Sequence, residues 1–234
     1  PKPLSVSLVG PVSRTYDGTT LATLGGDNFL ISGNLAGQTF SITATQGQFA
    51  SANAGSNLLV SAQLAPANFL PGPGTLASNY LLPMIATGQV GTIVPRPLTA
   101  TLVGNVQRTY DGTNAASLGT TNFALAGLVS GESLVVTAPA GTFSTRNVGT
   151  GLLVSALLTA NDFAPTAGTL LTNYALPTLA NGAIGTITPK SLAASLIGTT
   201  SRPYDGTDAA ALTTTNFALD GLVAGEGLTV VQPV

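Results

Sequence analysis

The chain has 234 residues, 7 Lys+Arg against 9 Asp+Glu, a net charge of −2, and no His, Cys or Trp. That composition excludes a zinc site built on Cys or His, a thiol nucleophile, a Ser-His-Asp triad and a disulfide framework, and so few cations leave no electrostatic footprint for nucleic acid. Hydrophobic residues make up 44 %, enough for a packed core, yet no apolar run nears the roughly 20 residues of a membrane-spanning helix.

In chain order, Leu4, Val6 and Leu8 alternate with Ser5 and Ser7, which is the period of a strand. Arg14-Thr15-Tyr16-Asp17-Gly18-Thr19 follows as a turn, with Asp bonding nearby backbone and Gly tolerating positive φ. The same signals return from residue 98 onward. Leu98–Leu102 alternates, and Thr109–Thr113 repeats the turn. Phe123–Leu128 is a short apolar run, Ser130–Ser133 a second turn, and Leu134–Thr137 a β-branched strand. Leu152–Leu158 is the strongest apolar segment, Asn161–Gly168 a loop, Asn173–Pro177 a short extended stretch, and Ala183–Thr188 a closing strand. Gly, Pro, Thr and Asn interrupt every helical window. The reading is mostly β, with six or seven short strands per module at roughly ten-residue spacing. The core is expected to hold Leu102, Tyr110, Phe123, Leu134, Val136, Phe143, Leu153, Phe163, Tyr174 and Ile187.

An internal repeat organises the chain. Tyr-Asp-Gly occurs at Tyr16-Asp17-Gly18, Tyr110-Asp111-Gly112 and Tyr204-Asp205-Gly206, at a constant spacing of 94 residues. Asn28-Phe29, Leu58–Ala62, Asn79-Tyr80 and Gly91-Thr92-Ile93 recur in the same register. The modules are therefore 1–94, 95–188 and 189–234, the third being a first half, since Val234 stands where the first copy has Gln46. A half module implies a longer chain. Proline at the joints, Pro95, Pro97 and Pro189, makes them short and stiff. The expected architecture is an elongated tandem array of small β modules, an immunoglobulin-like sandwich being favoured over a β-grasp-like sheet with one short helix.

The Arg-Thr-Tyr-Asp-Gly-Thr phrase, the later Asn-Tyr and the terminal Gly-Thr-Ile-Thr-Pro-Lys resemble the YDG-domain repeats of large haemagglutinin-like and filamentous bacterial adhesins. The resemblance covers two full copies and half of a third. It implies a chain exported across the outer membrane, a place on the bacterial cell surface or outside the cell, and a role as a stalk. It transfers no ligand. The third copy departs with Pro203 before Tyr204, which suits an edge or turn but removes one N–H donor.

The residues singled out are Arg14, Tyr16, Asp17 and Gly18 with their copies Arg108, Tyr110, Asp111 and Gly112, and Arg202, Tyr204, Asp205 and Gly206. A ligand site in each module competes with a structural corner, and each residue type suits the corner. An exposed Arg–Asp pair three residues apart adds only roughly 0–1 kcal/mol. No enzyme is expected. Acid–base work needs paired carboxylates, and although Glu132 and Asp162 accompany Asp111, the first copy has Gln38 and Asn68 there. Calcium needs clustered oxygen ligands, and Asp205 with Asp208 is the nearest approach. An isopeptide staple has only Lys2 and Lys190 to draw on, both at joints. No cofactor is expected. The partners are neighbouring modules of the same longer chain. Low charge also makes lateral self-association into filaments plausible, with strand pairing between chains. Direct binding of a carbohydrate or host protein by module loops is a third reading, weakened by the absence of Trp.

Overall fold

The computed structural model describes residues 1–166 and 168–231; Ala167, within the expected loop, and Val234 lie outside the described residues. The first copy contains β1 (Lys2–Pro3), β2 (Ser5–Leu8), β3 (Val12–Thr15), β4 (Leu21–Thr23), β5 (Phe29–Ser32), β6 (Phe40–Ile42), β7 (Gln46–Phe49), β8 (Gly55–Gln63), β9 (Phe69–Pro71), β10 (Tyr80–Leu81) and β11 (Ile85–Val94). The second repeats them as β12 (Arg96–Pro97), β13 (Thr99–Leu102), β14 (Val106–Thr109), β15 (Ala115–Ser117), β16 (Phe123–Ala126), β17 (Leu134–Val136), β18 (Ala140–Phe143), β19 (Gly149–Leu157), β20 (Phe163–Pro165), β21 (Tyr174–Ala175) and β22 (Leu179–Thr188). The third contributes β23 (Ala193–Leu196) and β24 (Phe217–Asp220), paired antiparallel.

The protein is thus mostly β, but among the described residues each complete copy has eleven strands rather than six or seven. Several are only two to four residues long, too short to show as alternation. No α-helix occurs among the described residues, so the short helix of the β-grasp alternative is not present there. Seven single 3₁₀ turns occur instead, and each leads directly into an aromatic residue that opens a strand: Phe29, Phe69, Tyr80, Phe123, Phe163, Tyr174 and Phe217. In five of them the preceding Asn or Asp folds back, as where Asn28 Oδ1 accepts the Gly25 N–H at 2.9 Å. That bond satisfies a donor at the start of the turn and fixes where the next strand begins.

The main sheet of the first copy runs β4-β7-β8-β11-β2-β5, with β3 also paired to β11. The second has the same order, β15-β18-β19-β22-β13-β16, with β14 on β22. β8 and β11 form the long antiparallel centre, while β2 and β3 both lie parallel to β11. Gly10, at φ 69°, separates β2 from β3 in the chain. A register shift between Gly88 and Gly91 moves the inward positions of β11 from Ala86 to Gly91 and Ile93.

Eight of the ten expected core residues are buried or half-buried as the alternation requires, and Tyr110 is half-buried within its unit. Leu153 is the correction. It is 45 % exposed, and its neighbour Val154 is fully buried. In β19 the inward positions are Val154 and Ala156, so the Leu152-Leu153-Val154 run hides its own alternation.

Packing divides the chain into two compact units. The first comprises Pro1–Ala100, Leu125–Thr137 and Leu158–Thr178; the second comprises Thr101–Ala124, Ala138–Leu157 and Leu179–Val234. In the first, the core of Tyr16, Phe49, Val60, Phe69 and Ile93 is continuous with Leu98, Leu134 and Tyr174 of the second copy. In the second, Val106, Phe143, Val154, Ala180 and Ile187 are buried.

Candidate functional site: the Tyr-Asp-Gly corner

The corner forms from local bonds. Asp17 accepts the Thr19 N–H at 2.8 Å and its hydroxyl at 2.9 Å, while Gly18 sits at φ 80°. Asp111 with Thr113 and Asp205 with Thr207 repeat these bonds, at 2.8–2.9 Å, and Gly112 and Gly206 lie at φ 79° and 77°. Bonds from the threonine hold the Asp111 and Asp205 carboxyls below the ordinary carboxylate range.

The arginines brace the corner. Arg14 pairs with Asp17 and donates to the Leu21 carbonyl. Arg108 pairs with Asp111 and donates to the Thr113 hydroxyl at 2.7 Å and the Ala115 carbonyl at 3.0 Å. Its guanidinium lies 5.5 Å from the centre of the Phe143 ring. Arg202 reaches Asp205 at 2.7 Å. The expected contact is therefore made in all three copies. The Arg14 and Arg108 side chains are only 16 % exposed, their Asp17 and Asp111 partners are 48 % and 53 % exposed, and Arg108 Nε is buried without a hydrogen-bond partner.

The tyrosine reaches beyond its own copy. In the first unit Tyr16 is 4 % exposed, and its hydroxyl donates to a carboxylate oxygen of Glu132, 116 residues away. The other Glu132 oxygen accepts the Tyr174 hydroxyl at 2.6 Å, and Tyr174 in turn accepts the Val129 N–H at 3.0 Å. The two rings meet edge to face at 5.5 Å. A second contact closes beside it. Buried Asn173 accepts the Ala54 N–H at 2.8 Å and donates to Asn53 Oδ1 at 3.1 Å. Gly18 lies under Val129, so close that a Cβ would come within 3.2 Å of Cγ1. Burial, then the bond to Glu132, pushes the Tyr16 hydroxyl up to about 12.

In the second unit Tyr110 donates to Glu226, again 116 residues on, and Gly112 lies under Val223. The bond to Glu226 raises the Tyr110 hydroxyl above its ordinary value. Tyr204, with the same local turn, is 97 % exposed. The structure thus brings Arg, Asp and Gly of each copy together as one corner, and joins Tyr16 and Tyr110 to residues of the following copy.

Glu132 is legible in the sequence only as a carboxylate beside Asp111 and Asp162, and Asn173 only as part of the recurring Asn-Tyr pair, while Glu226, Val129 and Val223 carry no local signal. The signal was present in the register: Glu132 and Glu226 stand one period apart, as do Val129 and Val223. Among the described residues no group of three or more acidic side chains could hold a metal ion, and no helix is long and apolar enough to cross a membrane. The tyrosine, glutamate, aspartate and threonine side chains of the arrangement bond within it. Its chemistry is that of a fastening.

The YDG domain is matched twice, over residues 1–88 and 94–181. No curated protein and no solved structure matches the chain. With two tandem matches spanning most of its length, each carrying the Tyr-Asp-Gly corner, the chain belongs to the YDG domain family.

Proposed function

We propose that this chain is a repetitive structural region of an extracellular bacterial adhesin or surface filament, haemagglutinin-like in kind, that holds a binding region away from the cell. The carrying observation is the repeated closure of Tyr16 on Glu132 and Tyr110 on Glu226 at one spacing. A module that fastens its successor through the same residues each time is built to be strung in series. Each complete copy reads as an immunoglobulin-like sandwich, a reading supported in the first by one buried cluster that holds Ile42 and Phe69 of the β6–β9 ribbon together with Phe49 and Val60 of the main sheet. No catalysis and no cofactor enter this reading, and the partners are the neighbouring modules.

The test is light scattering with small-angle X-ray scattering on the 234-residue chain across a concentration series. Constant monomer mass and an elongated profile are expected. Mass that grows with concentration, or filaments seen by electron microscopy, would overturn the passive extension and make assembly between chains the function.

A further inference from the structure

A copy strung in series is entered through its first strands and left through its last. In this fold those strands are neighbours, and they run the same way. β3 pairs parallel with the end of β11: Val12 with Gly91, Ser13 with Thr92, Arg14 with Ile93 and Thr15 with Val94. The ladder continues one step into the corner, where the Tyr16 N–H donates to the Val94 carbonyl at 2.9 Å. β2 meets β11 in the same sense at Ser7 and Thr87, and β1 lies parallel to β10. Every pairing between the entering and leaving ends of the first copy is therefore parallel. The second copy repeats the register, Val106 with Gly185 through Thr109 with Thr188, and the Tyr110 N–H donates to the Thr188 carbonyl at 2.9 Å.

The mechanical consequence follows from geometry. Tension on the two ends of a copy draws β3 backward and β11 forward along a shared axis. The bonds across a parallel pair lie between the strands, so sliding loads them all together and none yields before the rest. Pulling strands apart from one end breaks them in turn. Rupture under force is governed by the unfolding barrier and not by equilibrium stability, so loading direction sets the strength of the same set of bonds. Arg14 ties β3 to the Leu21 carbonyl, and Tyr16, the residue after β3, is fastened to Glu132 of the following copy.

We infer that each complete copy is a shear clamp: the β3–β11 pair, and β14–β22 in the second copy, resists tension between the ends of the module. The use of such a clamp in the cell rests on the extension reading above; the clamp itself does not.

The chain has no cysteine, so engineered pairs give unambiguous handles. In the full chain, Lys2→Cys with Val94→Cys loads the first copy in shear. Ser56→Cys with Val94→Cys grips the two strands at one end of the antiparallel β8–β11 pair, where Gly55 faces Ile93, and opens it bond by bond. All three side chains are exposed, and equal melting temperatures for the two variants will show that the fold is intact. Single-molecule pulling at one loading rate is expected to give a rupture force several-fold higher in the first geometry. The roughly 80 residues between the clamped strands should then release about 27 nm of chain. Equal forces, or a weaker first geometry, would overturn the clamp. A strong clamp in a chain with a compact scattering profile would sustain this inference while overturning the extension.

Discussion

Tyr16 does two things with one side chain. Its backbone N–H extends the β3–β11 ladder, and its hydroxyl bonds Glu132. Tyr16→Phe keeps the ring and its edge contact with Tyr174 but leaves one oxygen of a half-buried carboxylate without its donor. Such a change costs about 1–3 kcal/mol, measurable as a lower denaturant midpoint for the first unit. Burial of the hydroxyl, and then the bond to Glu132, make stability sensitive to alkali. In the unfolded chain the phenol ionises near its ordinary value of about 10, whereas in the fold it is pushed up to about 12. The folded state then holds the proton that the unfolded chain has released. The contribution is complete below about pH 10 and is lost as pH rises towards about 12. A denaturation series across that range should show the loss, and Tyr16→Phe should lessen it, the raised Tyr110 and Tyr174 hydroxyls keeping a share. The turn itself was legible from residue types, because Asp, Gly and Thr make it with near neighbours. The fastening was not, because its acceptor lies 116 residues on and no local pattern points to a partner at that distance.

Among the elements, β19 shows how a strand can be read correctly as a strand and wrongly in which residue faces inward. A glycine-linked register shift in β11 changes which positions point inward, and the apolar run in β19 led to Leu153 where Val154 is the buried residue. Period-two alternation is a statement about an unbroken strand, and bulges break it. Gly91 is the position where this has a measurable consequence. A Cβ there would lie 2.8 Å from Phe49 and from Val60, both buried. Gly91→Ala should therefore destabilise by about 1–3 kcal/mol through overpacking, read as a lowered thermal midpoint. Gly185, with Phe143 against it, is expected to behave alike. The 94-residue period carried the equivalence of these two sites, while the crowding around them depends on contacts between strands far apart in sequence.

For the whole molecule, the sequence period and the packing follow different rules. Residues 125–137 and 158–178 belong by sequence to the second copy, and they pack into one compact unit with the whole of the first. Leu134 and Tyr174 are part of its core. Hydrogen exchange should reflect this. Amides of β17 and β20 are expected to share the protection of β8 and β11, and Tyr16→Phe should lower protection in both groups together. Loss confined to residues near Tyr16 would contradict a shared unit. Glu132 and Glu226 hold the same place one period apart, so a whole copy that carries glutamate there can follow either tyrosine, whereas the first copy has Gln38 at that place. An array built this way can lengthen or shorten by recombination in whole copies without a new contact having to arise, so its reach can change in steps while its joints stay the same.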